Sequence, residues 1–314
     1  MTKIDIYSGF LGAGKTTLIK KMIKEAYHGQ KLVLIENEFG EIGIDGGFLQ
    51  EAGINITEMN SGCICCSLVG DFGRALKKVI SEYHPDRILI EPSGVGKLSD
   101  VIGAVRKVTT DDVTLGNFVT VADATKCKMY MKNFGEFDNN QIETANTIIL
   151  SRTQNVDEKK LDECVKLLRD HNPNAVLVTT PWDQLTGEQL MEAMEQKTSI
   201  AMELEELEKE AHEHHHHHGH DADEVFVSWG VETHKKFTTE QIEGILKQLE
   251  DAAQYGMVLR AKGYVASNDS DRWIHFDYVP GESDVREGGA MVTGRVCVIG
   301  SKLNESAIAS LFGA

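Results

Sequence analysis

The nine residues Gly9-Phe-Leu-Gly-Ala-Gly-Lys-Thr-Thr17 constrain this chain more than any other stretch. Gly9 to Thr16 fits G-x-x-x-x-G-K-[ST] with no mismatch. The flanks agree. Ile4 to Tyr7 alternates like a strand, and Leu18 to Ile23 continues at helical spacing. A strand, a glycine-rich turn and a helix N-terminus make a phosphate site, because free N–H groups and the positive end of the helix dipole converge there. Gly9, Gly12, Ala13 and Gly14 are expected to shape that turn. Lys15 would reach the β- and γ-phosphates, Thr16 would ligate Mg2+, and Thr17 completes the motif.

Downstream, apolar runs end in polar loops, as in a mostly parallel α/β sheet. Lys31 to Ile35 reads as a buried strand leading into Glu36-Asn-Glu-Phe-Gly-Glu-Ile-Gly-Ile-Asp45. P-loop enzymes keep a γ-phosphate-sensing switch at this place. Glu36, Glu38, Glu41 and Asp45 exceed what solubility asks of a loop, though a solvated acidic loop is the plainer alternative. A strand at Ile56 to Asn60 precedes Ser61-Gly-Cys-Ile-Cys-Cys-Ser67. Cys63, Cys65 and Cys66 offer two or three thiolates from one tight turn, which is not the pair of separated pairs in a structural zinc finger. A helix expected from about Leu68 to Ser81 would lower their pKa at its N-terminus. A dithiol redox site and inert packing cysteines are the alternatives. Cys127, Cys164 and Cys297 are scattered singly, so a metal cluster in a reducing cytosol fits better than a disulfide framework.

Arg87 to Val95 is an apolar strand ending in Glu91-Pro-Ser-Gly94. The acid stands at the Walker B position, and Gly94 could donate its N–H to a γ-phosphate. Asn117 to Asp123 is a further strand, its acid expected to cap the next helix. After the strand Thr147 to Leu150, Ser151-Arg-Thr-Gln154 stands where G-proteins carry Asn-Lys-x-Asp, which makes Ser151, Arg152 and Gln154 base-site candidates. A carboxamide offers an oxygen without charge assistance, so the choice between GTP and ATP stays open. Ala175 to Thr180 closes the series, broken by Pro181-Trp182.

Gly187 to Ala211 is helical in spacing and acidic in its second half. It runs into a histidine tract whose His214, His215, His216, His217, His218 and His220 could collect Zn2+, Ni2+ or Co2+, or form a solvated linker. A second unit follows: a strand at Val225 to Trp229, a capping box at Thr238 to Gln241, an apolar stripe at Ile242, Ile245, Leu246 and Leu249, strands at Met257 to Val265, Trp273 to Val279 and Thr293 to Ile299, and a helix at Leu303 to Phe312. Arg260 and Lys262 share one strand face. The expected architecture is a P-loop NTPase domain at 1–183, an acidic helix and His-rich linker at 184–223, and a small α+β domain at 224–314. A net charge of −17 argues against nucleic acid. No stretch approaches the ~20 apolar residues of a membrane span. The first strand lies too near Met1 for a signal peptide, so a cytoplasmic protein is expected.

These motifs together resemble the CobW-type family of P-loop GTPases, which includes cobalamin-synthesis accessory proteins, nitrile hydratase activators and zinc metallochaperones. The carriers are Gly9 to Thr17, Glu36 to Asp45, Asn60 to Cys66, Glu91 to Gly94, the histidine tract and Leu259-Arg-Ala-Lys-Gly263. The resemblance implies a GTPase domain; with Lys15, Thr16 and Glu91 as its catalytic residues, Mg2+ as cofactor and no obvious arginine finger, slow hydrolysis of GTP to GDP is expected. It also implies a Zn2+, Co2+ or Ni2+ site at Cys63, Cys65 and Cys66, with Glu36 and Glu41 as further ligands. The expected partners are a client metalloprotein and a second copy of the chain, paired by nucleotide or metal. The implied function is nucleotide-gated delivery of a transition metal. The alternative is a regulatory or cofactor-chaperone module, for a corrinoid or other metalloenzyme, that transfers no metal. Two departures stand out: Ser151 to Gln154, and Pro92, which would stiffen the second switch.

Overall fold

The computed structural model describes residues 1–36, 55–58, 69–107, 112–195 and 227–314. They divide into two units, Met1–Trp182 with Thr186–Glu195, and Asp183–Leu185 with Gln196–Ala314.

The first unit is built on seven parallel strands: β1 (Thr2–Gly9), β2 (Leu32–Glu36), β3 (Asn55–Glu58), β4 (Arg87–Glu91), β5 (Val113–Asp123), β6 (Thr147–Ser151) and β7 (Val176–Val178), in the order β3-β2-β4-β1-β5-β6-β7. Helices cover it: α1 (Lys15–Glu25), α2 (Val69–Tyr83), α3 (Leu98–Arg106), α4 (Cys127–Asn133), α5 (Gly135–Thr144), α6 (Glu158–His171) and α7 (Gly187–Met194). Burial on both faces explains the apolar runs. Val33, Leu34 and Ile35 on β2 and Ile88, Leu89 and Ile90 on β4 are all fully buried.

β5 starts four residues before the strand read from the sequence, and Asp5 supplies the reason. Its fully buried carboxylate accepts the Asn117 N–H at 2.7 Å and pairs with Arg87. A Cβ on Gly116 would come 2.1 Å from Asp5 Oδ1, so only glycine lets β5 run past it. Sequence spacing also assigns residues 187–194 to the linking segment, whereas α7 belongs to the first unit. Its Gly187 N–H donates to Glu25 Oε2 at 2.9 Å, Thr186 and Gln189 form a capping box, and Leu190 and Met194 are fully buried.

The second unit is an antiparallel sheet, β12-β11-β10-β13-β8, comprising β8 (Val227–Thr233), β10 (Met257–Ser267), β11 (Trp273–Val279), β12 (Glu282–Gly288) and β13 (Gly294–Ser301), with the short β9 (Lys236–Phe237) parallel to the end of β10. Helices α8 (Thr239–Gln248) and α10 (Glu305–Leu311), flanking the short α9 (Ala252–Tyr255), pack Ile242, Leu246 and Ile308 with Ala261, Phe276, Val296 and Val298. β12 escapes sequence analysis because it is an exposed edge whose only apolar residue is Val285. A tight turn with Gly281 at φ 83° pairs it to β11. No described helix is long and apolar enough to cross a membrane.

Candidate functional site

The C-terminal end of β1 turns into the glycine-rich motif Gly9 to Thr17. Gly9 has φ 144°, and a Cβ there would lie 2.4 Å from the Val121 carbonyl oxygen. Gly12 and Gly14 also take positive φ, 70° and 108°, which favours glycine. Gly14 is the N-cap of α1, so no side chain occupies the helix's first N–H groups. Ala13 is buried beneath the turn and Thr17 faces outward. Lys15 Nζ donates to the Phe10 carbonyl at 3.4 Å and lies 4.0 Å from Glu91 Oε1. The Thr16 hydroxyl is 3.0 and 3.1 Å from the two Glu91 oxygens. A hydroxyl and a carboxylate converging beside a lysine form a hard-oxygen set that fits Mg2+ with phosphate.

Glu91 ends β4, and the loop after it presses against the phosphate turn. A Cβ on Gly94 would come 2.7 Å from the Leu11 backbone nitrogen. The Ser8 and Ser93 hydroxyls are buried there without a hydrogen-bond partner. Gln141, which no sequence motif marks, donates to the carbonyls of Gly94 and Gly96 from α5. Phe10 packs against Tyr130 and Phe134, with ring centroids 4.5 and 5.0 Å away.

On the other side lies the segment Ser151 to Gln154. Arg152 is left-handed at φ 58°, pairs with Asp123, and donates to the Gly12 carbonyl at 2.9 Å. Asp123 therefore does not cap the following helix. The N-cap of α4 is Lys126, and Asp123 accepts from the Thr125 N–H at 2.9 Å and hydroxyl at 2.6 Å while holding Arg152. Ser151 and Thr153 are buried, and Gln154 is exposed beside them. Trp182, which the sequence marks only as a strand breaker, donates to the Leu150 carbonyl at 2.9 Å. Its ring lies 3.2 Å from where a Gly14 Cβ would be.

Among the metal candidates, Glu36 is described. It ends β2 and stands in register with Glu58 on β3 and Glu91 on β4. Glu41, Cys63, Cys65, Cys66 and the histidines from His214 to His220 lie outside the described residues. Among the described residues, no three or more His, Cys, Asp or Glu side chains are grouped to hold a metal ion. Cys127 and Cys164 are not isolated, contrary to their spacing in the chain. Both are buried, and the Cys127 S–H donating to Cys164, together with burial, pushes the Cys127 thiol far up, which suits packing rather than ligation.

Residues 3–179 match the family model described as CobW/HypB/UreG, nucleotide-binding domain, and residues 226–314 match the cobalamin synthesis protein cobW C-terminal domain. Among curated relatives, the zinc chaperone CobW of a Sinorhizobium species is 39% identical over 127 residues, covering 38% of this chain and 36% of the relative. The zinc chaperone YjiA of Escherichia coli K12 is 31% identical over 168 residues, covering 51% of this chain and 52% of the relative. The matches thus span about half or less of these relatives. Among solved structures, the Zn(II)-bound YjiA GTPase from E. coli aligns with 99% of this chain and 98% of its own, at 19% identity and a TM-score of 0.45.

Proposed function

Because the chain belongs to the CobW/HypB/UreG nucleotide-binding family, we propose that it is a metal-binding GTPase in which nucleotide state sets the affinity for a transition-metal cargo delivered to a client protein. One observation carries this reading. β3, β2, β4 and β1 are consecutive in the sheet. The strand ends that precede Glu41 and Cys63 in the chain, at Glu36 and Glu58, are therefore in register with the end of β4 at Glu91, one strand from β1 and its glycine-rich turn. Three strand spacings, ~14 Å in all, separate β3 from β1.

In this reading the turn from Gly9 to Thr16 and Lys15 bind the β- and γ-phosphates. Thr16 and Glu91 would hold Mg2+, which would neutralise phosphate charge. Gly94 offers its N–H to the γ-phosphate, and Arg152 fixes the base-side segment to the turn. Turnover is expected at ~10⁻⁴ to 10⁻² per second, the range of P-loop GTPases acting without an arginine from a partner. Thiolates favour zinc, in keeping with relatives named zinc chaperones, while carboxylates and the histidine tract would also admit cobalt or nickel.

The test is a Zn2+ titration against a competing chelator, with GDP and with a non-hydrolysable GTP analogue. The two affinities should differ by ~5- to 150-fold. Equal affinities would remove the coupling. Zinc transfer to an apo-client, timed against hydrolysis, separates a carrier from a metal-sensing regulator or cofactor chaperone. Sedimentation in the same samples reports pairing of two copies.

A further inference from the structure

We infer that Gln141 is a positioning residue for the second switch, the segment following Glu91, and that α5 is the brace holding it. This rests on the GTPase reading above. Gln141 is fully buried. Its Nε2 donates to the Gly96 carbonyl at 2.7 Å and the Gly94 carbonyl at 3.2 Å, and its own backbone carbonyl accepts from the Thr120 hydroxyl at 2.8 Å. A primary amide has two N–H donors, and both are used on one loop.

The neighbouring residues of α5 act on the same segment. Asn140 accepts the Ser99 N–H at 3.2 Å and donates to the Ser99 hydroxyl at 3.1 Å. Glu136 pairs with Lys97 at 3.0 Å. Four residues from Gly94 to Ser99 are thus tied to one helix. At its near end the segment abuts Leu11, where Gly94 leaves no room for a side chain. Holding the Gly94 carbonyl restricts the peptide next to the N–H that would face the γ-phosphate. Gln141 therefore favours the loop position that senses that phosphate, acting through the Gly94 and Gly96 carbonyls.

Gln141→Met removes both donors at similar volume. GDP affinity should stay within ~3-fold, while affinity for the non-hydrolysable GTP analogue and single-turnover cleavage of GTP each fall ~10-fold or more. Asn172→Ala is the structural control. Its amide donates to the Ile142 and Ala145 carbonyls at the far end of α5, at 2.8 and 2.9 Å. It should lower Tm and leave the GTP-to-GDP preference unchanged. Asn140→Ala, at the exposed edge of the brace, keeps the test open if Gln141→Met does not fold. It should move the preference the same way by ~3-fold. An unchanged preference in the Gln141 and Asn140 variants, or an equal shift in Asn172→Ala, overturns the brace and leaves the GTPase reading standing. Absence of GTP binding by the unaltered chain overturns both.

Discussion

If Gln154 reads the nucleotide base, as proposed, a single atom there sets selectivity. Guanine presents two donors, N1–H and the N2 amino group, and a carboxylate meets both with acceptors. A carboxamide meets one donor with its oxygen and opposes the other with its own NH2 group. Gln154 is exposed beside the buried Ser151 and Thr153 and next to Arg152, which ties this segment to the phosphate turn. Gln154→Asp should raise the preference for GTP over ATP by ~10- to 100-fold, as a bidentate pair worth ~1–3 kcal/mol would. Competition binding with the two triphosphates checks this. That Lys15, Thr16, Glu91 and Gly94 come together around one turn was legible because the motifs that carry them are encoded within a few neighbours. The Arg152–Asp123 pair and the Gln141 clamp were not, since their partners lie 29 and 45 to 47 positions away.

At the scale of elements, legibility followed burial. The parallel strands announced themselves as apolar runs because helices cover both faces. β12 gave no such signal because it is an edge, and α7 was misassigned because its neighbours in sequence are acidic while its partners are Glu25 and the foot of the sheet. Helix α5 carries one further consequence. Asp138 on it is buried, and desolvation raises its carboxyl from an ordinary 3.8 to about 6, with His171 pulling the other way. The folded state thus binds more protons than the unfolded state between about pH 4 and 6, so this group makes stability fall as pH rises through that window. Above the window its contribution is constant. Asp138→Asn should flatten that part of the pH profile and add ~1–3 kcal/mol near pH 7, measured by denaturant unfolding across pH.

At the scale of the whole molecule, the two units carry separate cores, one around the parallel sheet and one around the antiparallel sheet with α8 and α10. The family matches follow the same division. The match to the nucleotide-binding domain lies within the first unit. That division gives the position of Trp182 a practical meaning. The chain has three tryptophans, and Trp229 and Trp273 sit in the second unit. Trp182 lies against the glycine-rich turn, its indole beside Gly14 and bonded to the Leu150 carbonyl. Its ultraviolet emission should therefore change when GDP and Mg2+ bind. Trp182→Phe should silence that change while equilibrium dialysis still finds the nucleotide bound. Such a response would give the protein its own optical reporter of occupancy, timing nucleotide arrival and departure without any added label.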